Sequence, residues 1–196
     1  MRSTRNTRRS GWATAGRMAL FFFAAVLAQP LWPPAAAQAA TAAEIRRDAT
    51  AALKKLYAGT PKAKELADKA KGVLVFPSVI KAGFMVGGLF GEGVLFKEGK
   101  AVAYYNTVAA SYGLQAGAQK YGYAMLLMND AALQYLNKSD GWEVGTGPSI
   151  VVLDEGAAAG LSTSTARDDV YAFIFSQTGL MAGLGLQGSK ITKIEK

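Results

Sequence analysis

The chain of 196 residues is 51% hydrophobic and 18% charged, which suits one folded domain with an apolar core, preceded by an export signal. It contains no histidine and no cysteine, which excludes disulfides, thiol catalysis, a Ser-His-Asp triad and histidine metal sites. Five arginines in the first 17 residues supply most of the net charge of +8, so residues 40–196 carry only +3. This modest charge argues against a nucleic-acid partner.

Residues 1–39 have the three parts of a secretory signal peptide. A basic start precedes the apolar segment Met18 to Ala28, which is short for a membrane span, and Ala37-Gln38-Ala39 fits the small-x-small cleavage rule. We predict a mature start at Ala40 and a periplasmic or secreted protein that associates peripherally with a membrane. Retention of the segment as an anchor is the alternative. Arg8-Arg9 leaves both twin-arginine and general secretory export open.

Two charged helices are predicted at the start of the domain, in residues 40–71. Thr41-Ala42-Ala43-Glu44 is a capping box, which marks the beginning of the first helix. Thr60-Pro61 predicts the cap and first position of a second helix, which we expect to end at Gly72. The apolar positions of the first helix recur at helical spacing: Ile45, Ala49, Ala52, Leu53 and Leu56.

The positive charge of the domain is concentrated on this helical pair. It holds eight basic and four acidic residues, whereas residues 72–196 hold nine basic and ten acidic ones. Lysines beside an apolar stripe pack their stems and keep their charges in water, an arrangement used at membrane interfaces. An ordinary solvated helix face is the alternative. The candidate lipid-binding residues are, as a group, Arg46, Arg47, Lys54, Lys55, Lys62, Lys64, Lys69 and Lys71.

The stretch from Gly72 to Phe96, GVLVFPSVIKAGFMVGGLFGEGVLF, organises the rest of the chain. Apolar runs bounded by glycine and proline predict buried strands, and repeated glycines inside them predict sharp bends. We expect a turn at Lys97-Glu98-Gly99-Lys100 that leads into the next strand. The strands predicted before this turn are short and separate: 72–77, 84–89 and 94–96.

Further strands and one short helix complete a β-rich segment, residues 72–196. The helix, 131–136, is expected to be capped by Asn129 or Asp130. A loop is predicted over 154–166, and its alanines allow a short helix as the alternative. The predicted fold is α+β, with the N-terminal helical pair packed on a curved, glycine-rich, barrel-like antiparallel sheet. The later strands are predicted at 101–108, 111–119, 121–128, 143–147, 149–153, 170–176, 180–186 and 190–194.

No pattern in the sequence predicts a catalytic residue, a metal site or a cofactor. Residues 183–188 match Gly-x-Gly-x-x-Gly, but a dinucleotide site requires a following helix and an acidic residue about 20 positions on. The chain given ends eight residues later. Asp154-Glu155 and Asp168-Asp169 lack the alternating ligand spacing of a calcium loop.

Three long segments follow one another in the chain: AKGVLVFPSVIKAGFMVGGLFGEGVL (70–95), SYGLQAGAQ (111–119) and DVYAFIFSQTGLMAGLGLQGSKI (169–191). They resemble, in this order, the opening signature, the central motif and the closing segment of the SYLF domain family. The dipeptide MN (128–129) resembles the end of the strand after the central motif, so the resemblance covers about residues 60–194. It implies a lipid-binding domain, also described as an actin-binding domain of fungal endocytic proteins. It further implies phosphoinositide or anionic-phospholipid binding in eukaryotic members, actin bundling in some, and no enzyme activity.

The resemblance and the basic helices together predict a non-enzymatic exported protein. We expect it to bind anionic phospholipid or phosphoinositide headgroups at a membrane surface. The alternative is a structural or protein-interaction domain of the bacterial cell envelope, with an envelope protein as partner and no lipid specificity. An exported protein meets actin only if it is delivered to a host cell, so actin is not an expected partner.

Overall fold

The computed structural model describes residues 40–138, 140–154, 157–158, 167–179, 186 and 188–196, and of residues 111–116 it describes the backbone only. Three predictions fall wholly or mostly outside these residues: the signal segment 1–39, the loop 154–166 and the strand 180–186. The Gly-x-Gly-x-x-Gly match likewise lies largely outside them. Residues 39–196 form one compact unit. Every element described below lies in this unit.

The described elements form an α+β domain, as predicted. Two N-terminal helices pack on a strongly curled, half-barrel sheet. The elements in chain order are α1 (Ala42–Gly59), α2 (Pro61–Ala67), β1 (Gly72–Lys97), β2 (Lys100–Leu127), α3 (Asp130–Leu136), β3 (Trp142–Glu143), β4 (Ile150–Leu153), β5 (Val170–Gly179) and β6 (Lys190–Ile194).

The capping box of α1 is formed as predicted. The Thr41 hydroxyl accepts a hydrogen bond from the Glu44 amide at 3.3 Å, and the Glu44 carboxylate accepts one from the Thr41 amide at 2.8 Å. The prediction for α2 was wrong at its end, because the helix stops at Ala67 and not at Gly72. The Lys71 amide instead donates to the Leu127 carbonyl at 2.8 Å, so the sheet ladder already begins there.

The prediction of several short strands between residues 72 and 128 was also wrong. β1 and β2 are two continuous strands, joined by the predicted turn, and they pair along nearly their whole length. Glu98 and Gly99 both have positive φ, as a two-residue hairpin turn requires. Pro77 does not interrupt β1. It lies at a β-bulge between Phe76 and Val79 on this edge strand, where no strand-pairing hydrogen bond requires the amide hydrogen that proline lacks.

β1 doubles back on itself, and glycines make this possible. A Cβ atom on Gly93 would lie 2.5 Å from the Val75 carbonyl oxygen, and one on Gly91 would lie 2.7 Å from a Val79 methyl carbon. The second half of β1 therefore packs directly against the first half. The bend lies between Gly83 and Gly87, where a Cβ on Gly83 would meet the Gly87 Cα at 2.3 Å.

β2 is the central strand of the six described strands. One edge of β2 pairs with β1, and the other edge is shared: residues 104–108 pair with β6 and residues 119–127 pair with β5. β3 extends the arm formed by β6, and β4 extends the arm formed by β5. All pairings are antiparallel except β4 with β5, which is parallel, so the sheet is mixed rather than purely antiparallel as predicted.

Alternating residues of the central strands feed two core clusters on opposite faces. Leu74, Phe76 and Tyr123 point into one core with Trp142, whereas Val73 and Val75 point into the other, against α1 and α2. The predicted apolar face of α1 packs in this second core, with Ile45, Ala49 and Leu56 buried. Because both faces are covered, the strands are continuously apolar.

The expectation that the whole Gly72–Phe96 stretch is buried was wrong for its middle. Its two ends are buried, but most side chains between Ile80 and Phe90 face solvent. These residues flank the bend of β1, and all of them except Leu89, which is buried in the first core, lie outside both cores.

Candidate functional site

A cleft lies between α1 and the β1–β2 turn. It consists of two adjoining cavities of about 830 and 630 Å³, which share Thr50, Lys54, Phe96 and Gly99 as lining residues. The connection between α2 and β1 closes one side, and Asp130 at the start of α3 also lines the larger cavity. The cleft exists because β1 doubles back: Gly72 lies against Leu95 and Phe96, which brings the α2–β1 connection beside the turn.

The charged side chains around this cleft are mainly basic. Its lining contains three acidic residues, Asp68, Glu98 and Asp130, and seven basic ones. Lys64, from outside the lining, binds Asp68 at 2.6 Å and so offsets that negative charge. The basic residues of the cleft are exposed: Arg46, Arg47, Lys54, Lys69, Lys71, Lys97 and Lys100.

The structure brings five of the eight predicted lipid-binding residues to this cleft and leaves three away from its lining. Arg46, Arg47, Lys54, Lys69 and Lys71 line it. Lys55 is exposed elsewhere on α1, Lys62 pairs with Glu65 at 3.1 Å, and Lys64 is engaged by Asp68. The eight predicted residues, which we expected to act as one group, therefore divide into five that line the cleft and three that lie outside it.

Sequence reasoning missed two basic residues of the cleft, Lys97 and Lys100. Their four-residue segment was interpreted only as a turn. The two lysines are directly opposite each other in the hairpin register, and like charges in that position destabilise a strand pair. Two lysines flanking a two-residue turn are the signal in the sequence that could have placed further positive charge here.

The floor of the cleft is apolar, and its one phenol stays protonated. Leu53, Val73 and Phe96 supply the apolar surface. Burial, with a smaller effect of the Asp68 carboxylate, raises the pKa of Tyr57 to about 12, so its hydroxyl is a neutral hydrogen-bond donor at physiological pH. The Lys64 ammonium lies 6.0 Å from the centre of the Tyr57 ring. Cations around an apolar floor favour a ligand that carries both phosphate and hydrocarbon.

Neither a metal-binding cluster nor a membrane-spanning helix occurs in the part of the chain that the structure describes. Within the part of the chain that the structure describes, no group of three or more Asp, Glu, His or Cys side chains is arranged to hold a metal ion. Among the helices of that same part, none is long and apolar enough to cross a membrane. The expectations of no metal, no cofactor and no catalytic residue stay predictions.

The C-terminal part of the chain matches a protein-family model. The family model described as Ysc84, Las17-binding protein actin regulator, matches residues 108–196. The SYLF resemblance predicted from the sequence motifs is confirmed for residues 108–196. This family is one of lipid- and actin-binding domains, so the coarse expectation of a binding function is met at the level of the family. A search of curated proteins gives no match.

The matched residues and the cleft overlap little. The match begins at Val108 in the middle of β2 and runs to the end of β6, whereas α1, α2 and β1 precede it. Of the residues lining the cleft, only Asp130 lies within the match. The SYLF match therefore covers the second part of the domain and leaves nearly all of the cleft outside it.

Proposed function

We propose that this SYLF domain binds anionic phospholipid headgroups, phosphoinositides among them, and thereby attaches to a membrane surface without catalysing a reaction. The observation that carries the proposal is the cleft between α1 and the β1–β2 turn, with its seven basic residues and apolar floor. We further propose that the protein acts after export, on a membrane that faces the periplasm or the cell exterior.

The chemistry of the cleft supports a phosphate ligand. Arginine binds phosphate oxygens with two parallel hydrogen bonds, and lysine binds them as a mobile point charge. Lys54 lines both cavities, with Lys100 in the smaller and Lys97, Lys69 and Lys71 in the larger. A headgroup between these walls meets cations from three segments of the chain. The glycerol and first acyl carbons of the same lipid then lie over Leu53 and Phe96.

The expected strength follows from the number of contacts. Each lysine or arginine near an anionic surface contributes about 1 kcal/mol, and this contribution falls as salt screens the charges. Reversing two cleft charges removes two attractions and adds two repulsions. The loss is therefore about 2 to 4 kcal/mol at low salt, or roughly 30-fold to 1,000-fold in affinity.

The test is co-sedimentation of residues 40–196 with vesicles at two salt concentrations. Equimolar phosphatidylcholine and phosphatidylglycerol vesicles are compared with pure phosphatidylcholine vesicles, and a phosphoinositide is added in a third set. The cleft variant is Lys54→Glu with Lys100→Glu. Its matched control is Lys55→Glu with Lys193→Glu, which makes the same change in net charge at exposed positions that do not line the cleft.

We expect the cleft variant to lose the binding to anionic vesicles and the control variant to keep most of it. Equal losses in both variants would mean that the charge acts diffusely and that the cleft has no special role. Equal binding of anionic and pure phosphatidylcholine vesicles would contradict the proposal. In that case crosslinking in the periplasm tests the alternative, an envelope protein as partner.

A further inference from the structure

The bend of β1 exposes a group of large apolar side chains, which we call the apolar tip (residues 80–90). Phe84 is 75% exposed, and Met85 and Val86 are 58% and 59% exposed. Ile80 and Phe90, on either side of the bend, are 55% and 53% exposed. In a half-buried strand alternate residues are covered, but here three consecutive large residues face solvent, so the strand projects beyond the core.

Within the apolar tip and the β2 segment that pairs with it, both charged residues are lysines. Residues 79–91 of β1 contain one charged residue, Lys81, and the paired residues 108–121 of β2 contain one, Lys120. Lys120 is exposed and directly opposite Ile80 in the ladder. A projecting apolar surface with the exposed Lys120 at its border is complementary to a surface that is apolar inside and anionic outside.

We propose that the apolar tip inserts into the interfacial layer of an anionic lipid bilayer, with Phe84 and Met85 among its acyl chains and Lys120 at the phosphates. The proposal rests on the membrane partner of the proposed function, but it assigns a separate contact site. Residues 82–84 pair with residues 116–118 of β2, which satisfies one edge of this backbone, and the polar headgroups and water of the interfacial layer can bond the open edge.

A second copy of the chain is a less suitable occupant of this surface. Copies that associate through an open strand edge need a flat, regular edge. β1 has a register irregularity between Phe84 and Val86, and Met85 has a left-handed φ of 62°. These irregularities block regular strand addition at the apolar tip, whereas a fluid bilayer accepts an irregular surface.

The apolar tip and the cleft lie at opposite ends of the folded hairpin. The two ends of β1 meet at the cleft, and the bend is about 10 residues away along either half, or roughly 30 Å at about 3.3 Å per residue. One flat leaflet reaches both regions only when β1 and β2 lie along it. Insertion of the tip therefore also fixes how the domain is oriented on the membrane.

The first experiment measures the depth of insertion. Residues 40–196 contain one tryptophan, Trp142, which is 1% exposed and supplies a constant background. In Phe84→Trp, we expect the added emission to shift to shorter wavelength on mixing with phosphatidylcholine–phosphatidylglycerol vesicles. Lipids brominated in their acyl chains should quench it. The control is Val152→Trp, at an apolar position of β4 that is 41% exposed and belongs to neither site; its emission should not change.

The second experiment measures the contribution of the tip to affinity. We expect Phe84→Ser with Met85→Ser to weaken vesicle binding roughly tenfold or more, even at high salt, because apolar transfer is not screened. Both side chains face solvent, so the fold should be retained, and a thermal unfolding curve checks this. Val152→Ser is the matched control.

The outcomes separate this proposal from the proposed function. If Phe84→Trp shows no shift while the Lys54→Glu, Lys100→Glu variant loses binding, the tip does not insert and the cleft proposal stands. If the cleft variant binds normally and the serine variant does not, the tip is the membrane contact and the cleft proposal fails. If the serine variant changes only a dimer seen by analytical ultracentrifugation, the tip is a self-association surface and the insertion proposal is overturned.

Discussion

The contact between the two halves of β1 predicts a large effect of adding one methyl group at Gly93. In Gly93→Ala, the new Cβ would lie 2.5 Å from the Val75 carbonyl oxygen and 2.7 and 2.9 Å from two ring carbons of Phe76. Ordinary contacts lie near 3.4 Å or beyond, and Phe76 is fully buried, so the strands themselves must separate. Such overpacking costs about 3 kcal/mol. For a domain of this size we expect the melting temperature to fall by roughly 6 to 12 °C.

Thermal and urea unfolding of residues 40–196 measure this effect, and Gly88→Ala in the same strand is the control. A Cβ at Gly88 would meet only the Ala109 carbonyl oxygen, at 3.6 Å, and Gly88 is exposed. This variant should unfold within about 0.5 kcal/mol of the wild type. Equal unfolding curves for Gly93→Ala and the wild type would refute the close approach of the two halves, and with it the origin of the cleft.

Three further predictions concern the ends of the domain and its pH response. Lys196→Met should destabilise the domain by about 1 to 3 kcal/mol in chemical unfolding. The Lys196 ammonium binds the Glu92 carboxylate at 2.7 Å and the Ala40 carbonyl at 2.8 Å, and the Lys196 side chain is only 13% exposed. An unchanged unfolding midpoint would contradict this prediction. Hydrogen bonds from the Ser149 amide, the Asn129 amide group and the Ser149 hydroxyl lower the pKa of Asp169, so Asp169→Asn should cost about 1 kcal/mol at neutral pH. This stabilisation is present above the ordinary carboxyl pKa of 3.8 and is lost as the pH falls through the lower pKa of the folded state. The difference in unfolding free energy between Asp169→Asn and the wild type should therefore disappear in acid. A difference that stays constant with pH would contradict this. Mass spectrometry of the protein exported by a bacterial host should show a chain that starts at Ala40, and a retained N-terminus would support the anchor alternative.

The parts of the fold that depend on neighbouring residues were predicted correctly. The capping box at Thr41, the buried face of α1 and the turn at Lys97–Lys100 each follow from a local pattern. The sequence pattern allows either Asn129 or Asp130 as the cap of α3. The structure shows that Asn129 is the cap, because its side-chain oxygen accepts a hydrogen bond from the Ala132 amide at 2.9 Å.

The errors occur where distant residues decide the structure. Glycine and proline between residues 77 and 93 suggested strand breaks, but a paired strand of similar length holds β1 in the ladder across its bulges. The parallel pairing of β4 with β5 joins segments whose order in the chain gives no local signal. The exposure of residues 80–90 was missed for the same reason, because a buried strand and a projecting one have the same apolar composition.

Only part of the candidate site was predicted. Helix spacing shows which side chains share a helix face, but it does not show which face borders a cleft. Lys54 and Lys55 are adjacent in sequence, and only Lys54 lines the cleft. Lys97 and Lys100 join it only because β1 returns to its own start. Their recruitment therefore depends on the tertiary fold.

The shared central strand has a consequence for how the domain folds. β1 and β2 are consecutive in the chain and joined by a two-residue turn, whereas the partners of β2 in β5 and β6 are roughly 40 to 90 residues away. We expect the long hairpin to form early and the two arms to dock onto its free edge later, since closing the longer loops costs more entropy. Residues 123–127 of β2 are paired on both sides, so their amides should exchange very slowly with solvent deuterium.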